Sequence, residues 1–297
     1  MIEVPQGLRD SPRFWDDAAG RAWLDRVPAL VAKVCADWEL RPEGTARHGS
    51  HALVLMVTSD RGPAALRLTP PGPRAEDDLR ALSFWPGDPV VSVLRASADG
   101  SVLLLERLDQ GASLSAQPPE VVAEVLGGLV ARMVVPGPPG DVRSTADEAA
   151  DLLEHGRRRW EHSGRVVAAD ALDTALVLAA ELALEAPDLA VNGDVHADQV
   201  LRDAGGEWRV VDPLLMRGDP AYDLARAVWT TVDRLADARS VVEFSDRLVA
   251  ATGLDRSRAE AWLRVRTVGY WLWCLEAGLT EDPVRCARLA AAWSPGV

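Results

Sequence analysis

Apolar positions along the first third of the chain follow two periods. Between Gly20 and Leu40, the residues Leu24, Val27, Leu30, Val31, Val34 and Trp38 recur three and four apart, the spacing that lines one face of an α-helix. Short runs rich in aliphatic residues follow: Leu53–Thr58, Ala64–Thr69, Val90–Arg95 and Val102–Glu106. Turn residues bound them, notably Ser59-Asp60-Arg61-Gly62-Pro63 and Ala98-Asp99-Gly100. Between the second and third runs, Arg74 to Trp85 reads as a helix closed by Pro86-Gly87. The first ~110 residues therefore predict a small antiparallel sheet with one helix inserted.

Beyond them the helical period dominates. Pro118 to Val135 starts on prolines and stops at Pro136-Gly137-Pro138-Pro139-Gly140. Thr145–His162 and Ala168–Glu185 follow, the second so dense in Ala and Leu that a buried helix is expected, and four more helices are expected from Ala221 to Trp293. One interruption breaks the pattern: Val191 to Pro213 holds a loop, two short strands (Val200–Arg202 and Trp208–Val211) and a Gly205-Gly206 turn. A β-hairpin flanked by aspartates within a helical stretch is the place to look for chemistry.

Charge narrows the partners. Forty-five acidic against 32 basic side chains give a net charge of −13, a poor balance for neutralising phosphate backbones, so no nucleic-acid partner is expected. Lys33 is the single lysine, and every other basic side chain is arginine. Cys35, Cys274 and Cys286 are too scattered for a disulfide framework or a zinc site and read as buried free thiols. The N-terminal stretch lacks the basic start and apolar run of a signal peptide, and nowhere do eighteen apolar residues follow one another, so no membrane span and a cytoplasmic location are the expectations.

Within the interruption, Asp194 sits in a loop before a strand, Gln199 lies five residues on, and Asp212 ends the returning strand. Antiparallel pairing would bring Gln199 and Asp212 to one end of the hairpin. A carboxylate and an amide oxygen are hard ligands of the kind Mg²⁺ takes when a nucleotide phosphate supplies the rest. Asp194 would then orient a hydroxyl and accept its proton. Loop capping, a strand-end turn and a surface glutamine are the competing structural readings of these three residues.

The stretch resembles the catalytic and metal-binding segments of aminoglycoside phosphotransferases, in particular the streptomycin 6-kinase and hydroxyurea phosphotransferase family. Asn192-Gly193-Asp194 with Val195-His196-Ala197-Asp198-Gln199 is similar to that group's His-x-Asp-x-x-x-x-Asn. Asp212 is similar to its strand-end Asp, and Gly218-Asp219-Pro220-Ala221-Tyr222-Asp223-Leu224 to its Gly-Asp-Pro-x-x-Asp-Leu. Gly20-Arg21-Ala22-Trp23-Leu24, Ala65-Leu66-Arg67-Leu68 and Leu103-Leu104-Leu105-Glu106-Arg107-Leu108 extend the likeness over about residues 20–230. The resemblance implies an α+β, two-lobed protein-kinase-like fold with a small antiparallel-sheet N-lobe over 1–105, a hinge at 106–109, and a mostly helical C-lobe over 110–297 carrying the catalytic hairpin 191–213.

It also implies roles. Asp194 is the catalytic aspartate, and Gln199 and Asp212 hold Mg²⁺. Arg67 stands where the fold has a lysine on the α- and β-phosphates, with Glu76 as its candidate ion-pair partner and Asp77 and Asp78 competing on the same turn. Ser50, in Gly49-Ser50-His51, lies in the turn over the phosphates. Glu106 to Leu108 present backbone to the base, and Leu201 forms its apolar floor. ATP or GTP would be the phosphoryl donor, and a small molecule, an antibiotic, the acceptor.

Three positions depart from the pattern: Asn192 for His, Gln199 for Asn, and Arg67 for Lys, the last replacing a point charge with a planar fork. Asp219 and Asp223 read as structural, bonding loop backbone and capping the helix near Pro220. His196 reads equally as a packed loop residue or a substrate contact. His155 and His162 read as surface residues, and Trp262, Trp271 and Trp273 as core in preference to walls of an acceptor pocket. No P-loop, Rossmann, nucleophile-elbow or zincin motif is present.

The implied activity is transfer of the γ-phosphoryl group to a hydroxyl of an aminoglycoside-like acceptor. Residues 110–297 carry 29 acidic and 19 basic side chains, an excess that suits a cationic acceptor or a solvated surface equally. The same chemistry on hydroxyurea, a nucleoside antibiotic or a metabolite, and a ligand-binding pseudokinase, are the alternatives. A protein kinase ranks below them, because Asp212 is followed by Pro-Leu where an activation segment would have Phe-Gly.

Overall fold

The computed structural model describes residues 2–10, 18–49, 51–184 and 186–293. The elements in chain order are α1 (Gln6–Arg9), α2 (Ala18–Asp37), β1 (Arg41–His48), β2 (Leu53–Ser59), β3 (Gly62–Leu68), α3 (Pro73–Phe84), β4 (Val93–Ala96), β5 (Val102–Glu106) and β6 (Asp109–Ser113). Then come α4 (Pro119–Met133), α5 (Thr145–His162), α6 (Ala169–Leu184), β7 (Ala190–Val191), β8 (Val200–Arg202), β9 (Trp208–Val210) and β10 (Met216–Arg217). The chain closes with α7 (Tyr222–Thr231), α8 (Ala238–Thr252), α9 (Arg256–Glu276) and α10 (Glu281–Ala292). They group into two compact units, Met1–Gly111 with Leu201–Asp212, and Ala112–Val200 with Pro213–Val297.

In the first unit, five antiparallel strands order as β1-β2-β3-β5-β4. Alternation assigns the faces. Leu53, Leu55, Val57, Leu66, Leu68, Val102 and Leu104 are buried in one cluster with Trp23, Leu24, Val27, Val31 and Val34 of α2. Six buried side chains on α2, at about 1.5–3 kcal/mol for each large apolar one, outweigh the roughly 3 kcal/mol cost of Pro28 inside the helix. The odd positions of β3 turn to the other face, and Arg67 is buried there between Leu66 and Leu68.

Two strands carry no apolar signal. β1 is an edge strand, largely exposed, reading Arg-Pro-Glu-Gly-Thr-Ala-Arg-His, and β6 reads Asp-Gln-Gly-Ala-Ser. Both are held by backbone pairing, which hydrophobic alternation does not register. The expected strand over 90–95 starts later, at Val93. Val90 instead lies opposite Val210 in an isolated bridge, with the Val91 N–H donating to the Val210 carbonyl at 2.9 Å and the Val210 N–H to the Pro89 carbonyl at 3.0 Å. This pairing helps group Leu201–Asp212 with the sheet, whereas the sequence assigned all of 110–297 to one helical lobe.

The second unit is helical. α5 begins on a capping box in which Ser144 and Asp147 satisfy each other's backbone N–H groups, and α8 and α9 start on Asp237 and Asp255 caps. α6 corrects an expectation: Leu172, Ala175, Ala179 and Leu182 are buried at helical spacing, but Val177 and Leu184 are 61 % and 86 % exposed. Its apolar residues extend beyond the one face that meets neighbours, onto a side they share with the exposed Asp173, Thr174 and Glu181. The three cysteines are free and buried, as expected. Among the described residues, no helix is long and apolar enough to cross a membrane.

Candidate active site

In the sheet unit, β3, α3, the turn before β2 and the hairpin end meet at Arg67. From β3, its Nη2 donates to Asp78 Oδ2 of α3 at 2.7 Å and to Asp212 Oδ1 at 2.9 Å, with His51 Nε2 3.4 Å away. Arg67, Asp78 and His51 are all buried, and Asp212 is partly exposed. Burial works against the Asp78 charge, but the His51 imidazole and the Arg67 guanidinium outweigh it and hold the carboxyl below the usual carboxylate range. His51, Asp78 and Asp212 offer ligand atoms within 4.8 Å of one another. Arg67 Nη2 bonds both carboxylates, so a fixed cation already serves the trio and no metal is assigned to its centre.

The partner of Arg67 is thus Asp78 and not Glu76. α3 starts at Pro73, and its phase turns Ala75, Asp78, Ala81 and Leu82 inward, leaving Glu76 and Asp77 exposed in the first turn. Glu76 matches the general favouring of acids at helix N-termini. Ser50 lies outside the described residues; His51, its neighbour, enters the cluster. Glu106 directs its side chain to the Ser92 N–H at 2.8 Å, while its own N–H donates to the Ser92 carbonyl at 2.9 Å. Leu108 is buried and Leu201 half-buried.

In the helical unit, the two-residue ladder of β7 with β10 (Val191 opposite Met216, Ala190 opposite Arg217) anchors the loop carrying Asp194. Gly193 has φ +80°, and a Cβ there would lie 2.5 Å from Met216 Sδ, so both conformation and space call for glycine. Asp223 of α7 accepts from the N–H of Asn192 at 3.1 Å and of Gly193 at 2.6 Å. Burial pushes its carboxyl up to about 6, against the Arg266 charge and these two hydrogen bonds. The Asn192 side-chain oxygen accepts from the N–H of Asp194 (3.3 Å) and of Leu214 (3.1 Å), so the asparagine supports the loop from within. Asp219 accepts the Ala221 N–H at 2.9 Å and pairs with Arg258. Both aspartates bond loop backbone as expected, but α7 starts on Ala221 without a side-chain cap, so the expected capping is not seen.

Asp194 itself is partly exposed. Its Oδ2 accepts from Gln199 Nε2 at 3.0 Å, and its Oδ1 lies 2.6 Å from Arg226 Nε of α7. That geometry orients Gln199: the amide nitrogen is spent on Asp194, while the amide oxygen is buried with no hydrogen-bond partner. An unpaired buried acceptor costs about 1–3 kcal/mol, and a hard cation is a ligand that relieves it. Within the helical unit, Gln199 Oε1 is therefore a donor that fits Mg²⁺. Arg226 and His51 were not singled out as functional by sequence reasoning. Arg226 sits one turn beyond Asp223 on the same helix, a spacing that could have disclosed it.

A family model described as aminoglycoside/hydroxyurea antibiotic resistance kinase matches residues 37–278. The chain is 34 % identical over 299 residues to the streptomycin 6-kinase of Streptomyces griseus, covering 94 % of this chain and 93 % of that one. It is also 34 % identical to the hydroxyurea phosphotransferase of Kitasatospora aureofaciens, over 98 % of this chain and 85 % of the relative. A crystal structure of the aminoglycoside phosphotransferase APH(4)-Ia superposes with a TM-score of 0.60 at 17 % identity, over 90 % of this chain and 99 % of that one. A choline kinase from Streptococcus pneumoniae superposes with 0.60 at 11 % identity, over 90 % and 98 %. At these identities the structural matches establish the fold, which is the protein-kinase-like one.

Proposed function

The chain belongs to the aminoglycoside/hydroxyurea antibiotic resistance kinase family of phosphotransferases, and from that membership we propose that it transfers the γ-phosphoryl group of ATP or GTP to a hydroxyl of a small antibiotic. The observation that carries the reading is the pairing of Asp194 with Gln199, which leaves one buried amide oxygen without a partner beside the aspartate. Asp194 orients the acceptor hydroxyl and takes its proton as the new P–O bond forms and the bond to the β-phosphate oxygen breaks. Mg²⁺, bound with the nucleotide, supplies positive charge at the phosphate oxygens. Gln199 and Asp212 are the side chains that would hold it. Arg67 contributes a fixed charge toward the phosphates in place of a lysine, steadied by Asp78 and His51.

An aminoglycoside-like acceptor accords with the acidic excess of residues 110–297 and with relatives named for streptomycin. A small neutral acceptor such as hydroxyurea is the second reading, favoured by the Arg226 guanidinium beside Asp194, which would repel an ammonium next to the reacting hydroxyl. The experiment is a nucleotide-consumption screen with ATP and GTP under Mg²⁺ over streptomycin, other aminoglycosides and hydroxyurea, with the product phosphate mapped. Transfer by the wild type that is lost in Asp194→Asn supports the reading. Absence of any phosphorylated acceptor overturns it.

A further inference from the structure

One face of α7 contacts the loop that carries Asp194 both at its backbone and at the aspartate. Asp223, Arg226 and Trp229 follow one another at three-residue spacing. The Asp223 carboxylate takes the backbone N–H groups of Asn192 and Gly193. One turn on, Arg226 Nε lies 2.6 Å from Asp194 Oδ1, with side chains only 23 % and 28 % exposed. A further turn on, the Trp229 ring lies 5.3 Å from the Arg226 guanidinium carbon, and Arg266 of α9 sits 5.1 Å from the same ring while donating to the Gly193 carbonyl at 2.5 Å. The Arg226 contact is a charge pair whose N–H is not directed along it, since Nε makes no hydrogen bond. Gln199 holds the other carboxylate oxygen.

We propose that Arg226 is a positioning residue for the phosphotransfer, clamping one oxygen of Asp194 so that the carboxylate plane, fixed at its other oxygen by Gln199, faces the acceptor hydroxyl. The proposal rests on the reading of Asp194 as the catalytic aspartate. A carboxylate has a soft terminal torsion, so without a second anchor it turns about the Gln199 bond. Asp223 fixes the backbone beneath Asp194 but cannot fix that torsion. Stacking on Trp229 limits the guanidinium in turn, so an aromatic ring, a cation and the aspartate form one chain of contacts along the helix.

The test is a double-mutant cycle on the acceptor that the wild type phosphorylates fastest. Arg226→Gln is expected to lower kcat by about 10²-fold, the usual penalty of a misplaced reacting group, with the KM for nucleotide nearly unchanged. Arg226→Lys is expected to recover part of the loss, and it stands in if the glutamine variant does not fold. In an Asp194→Asn background, Arg226→Gln should change the residual rate by less than about threefold, because its partner is already gone. Equal factors in the two backgrounds, or an unchanged kcat, overturn the proposal. If the wild type phosphorylates nothing, the functional reading fails by itself. Crystal structures of wild type and Arg226→Gln then decide this one: a rotated Asp194 carboxylate supports it, and an unmoved one refutes it.

Discussion

Replacing Asp78 by Asn isolates the ion pair beneath the proposed phosphate site. Arg67, with a side chain 6 % exposed, then keeps Asp212 as its remaining carboxylate at 2.9 Å. Removing one partner of a buried pair costs about 3–5 kcal/mol when the other charge is left alone. Asp212 survives and is 30 % exposed, so it compensates in part, and we set the loss at about 2–3 kcal/mol. At about 2–4 °C per kcal/mol for a large domain, the melting midpoint falls by roughly 4–12 °C. Thermal unfolding followed by circular dichroism reads the shift, and nucleotide affinity measured on the same samples should weaken as Arg67 loses its fixed position. Glu76→Gln, on the exposed side of the same helix turn, is the control and should stay within about 0.5 kcal/mol of wild type. An Asp78→Asn protein that melts with the wild type, or a Glu76→Gln protein that suffers the larger loss, would refute the assignment of the pair.

Two further predictions concern the support of the loop that carries Asp194 and the turn after β10. The folded-state value of Asp223, near 6, lies above that of an unfolded aspartate, so the folded chain binds the extra proton and stability falls as pH rises from about 4 through 6, by up to about 3 kcal/mol. Urea unfolding of wild type and Asp223→Asn across that range should show the wild type losing ground to the variant as pH rises; a constant or widening advantage of the wild type contradicts it. Gly218 has φ +136°, and a Cβ there would lie 2.1 Å from Thr145 Oγ1. Gly218→Ala should therefore destabilise by about 2 kcal/mol or more in the same assay, and a neutral result would contradict the close packing of this turn on Thr145.

How much of this was legible beforehand differs by element. α5, β5 and the helices after Ala221 follow from local period and caps, because a helix or strand that buries one face must repeat apolar residues at its own spacing. β1 and β6 escaped, since an edge held by backbone hydrogen bonds leaves no mark on side-chain polarity. α6 misled in the other sense: alanine and leucine make a good helix whether or not anything covers them, and Val177 and Leu184 face water.

By itself, the order of residues determined the family and placed Asp194, Gln199 and Asp212 within recognisable motifs. It also showed that no lysine stands at the β3 position of Arg67. Tertiary structure decided which carboxylate answers Arg67, because only the phase of α3 against the sheet separates Asp78 from Glu76 two residues earlier. It likewise decided that Arg226 reaches Asp194 across 32 positions of chain and that the free atom of Gln199 is its oxygen. Motif spacing records chemistry that lies close along the chain, whereas ion pairs between distant segments depend on how helices turn and where the backbone returns.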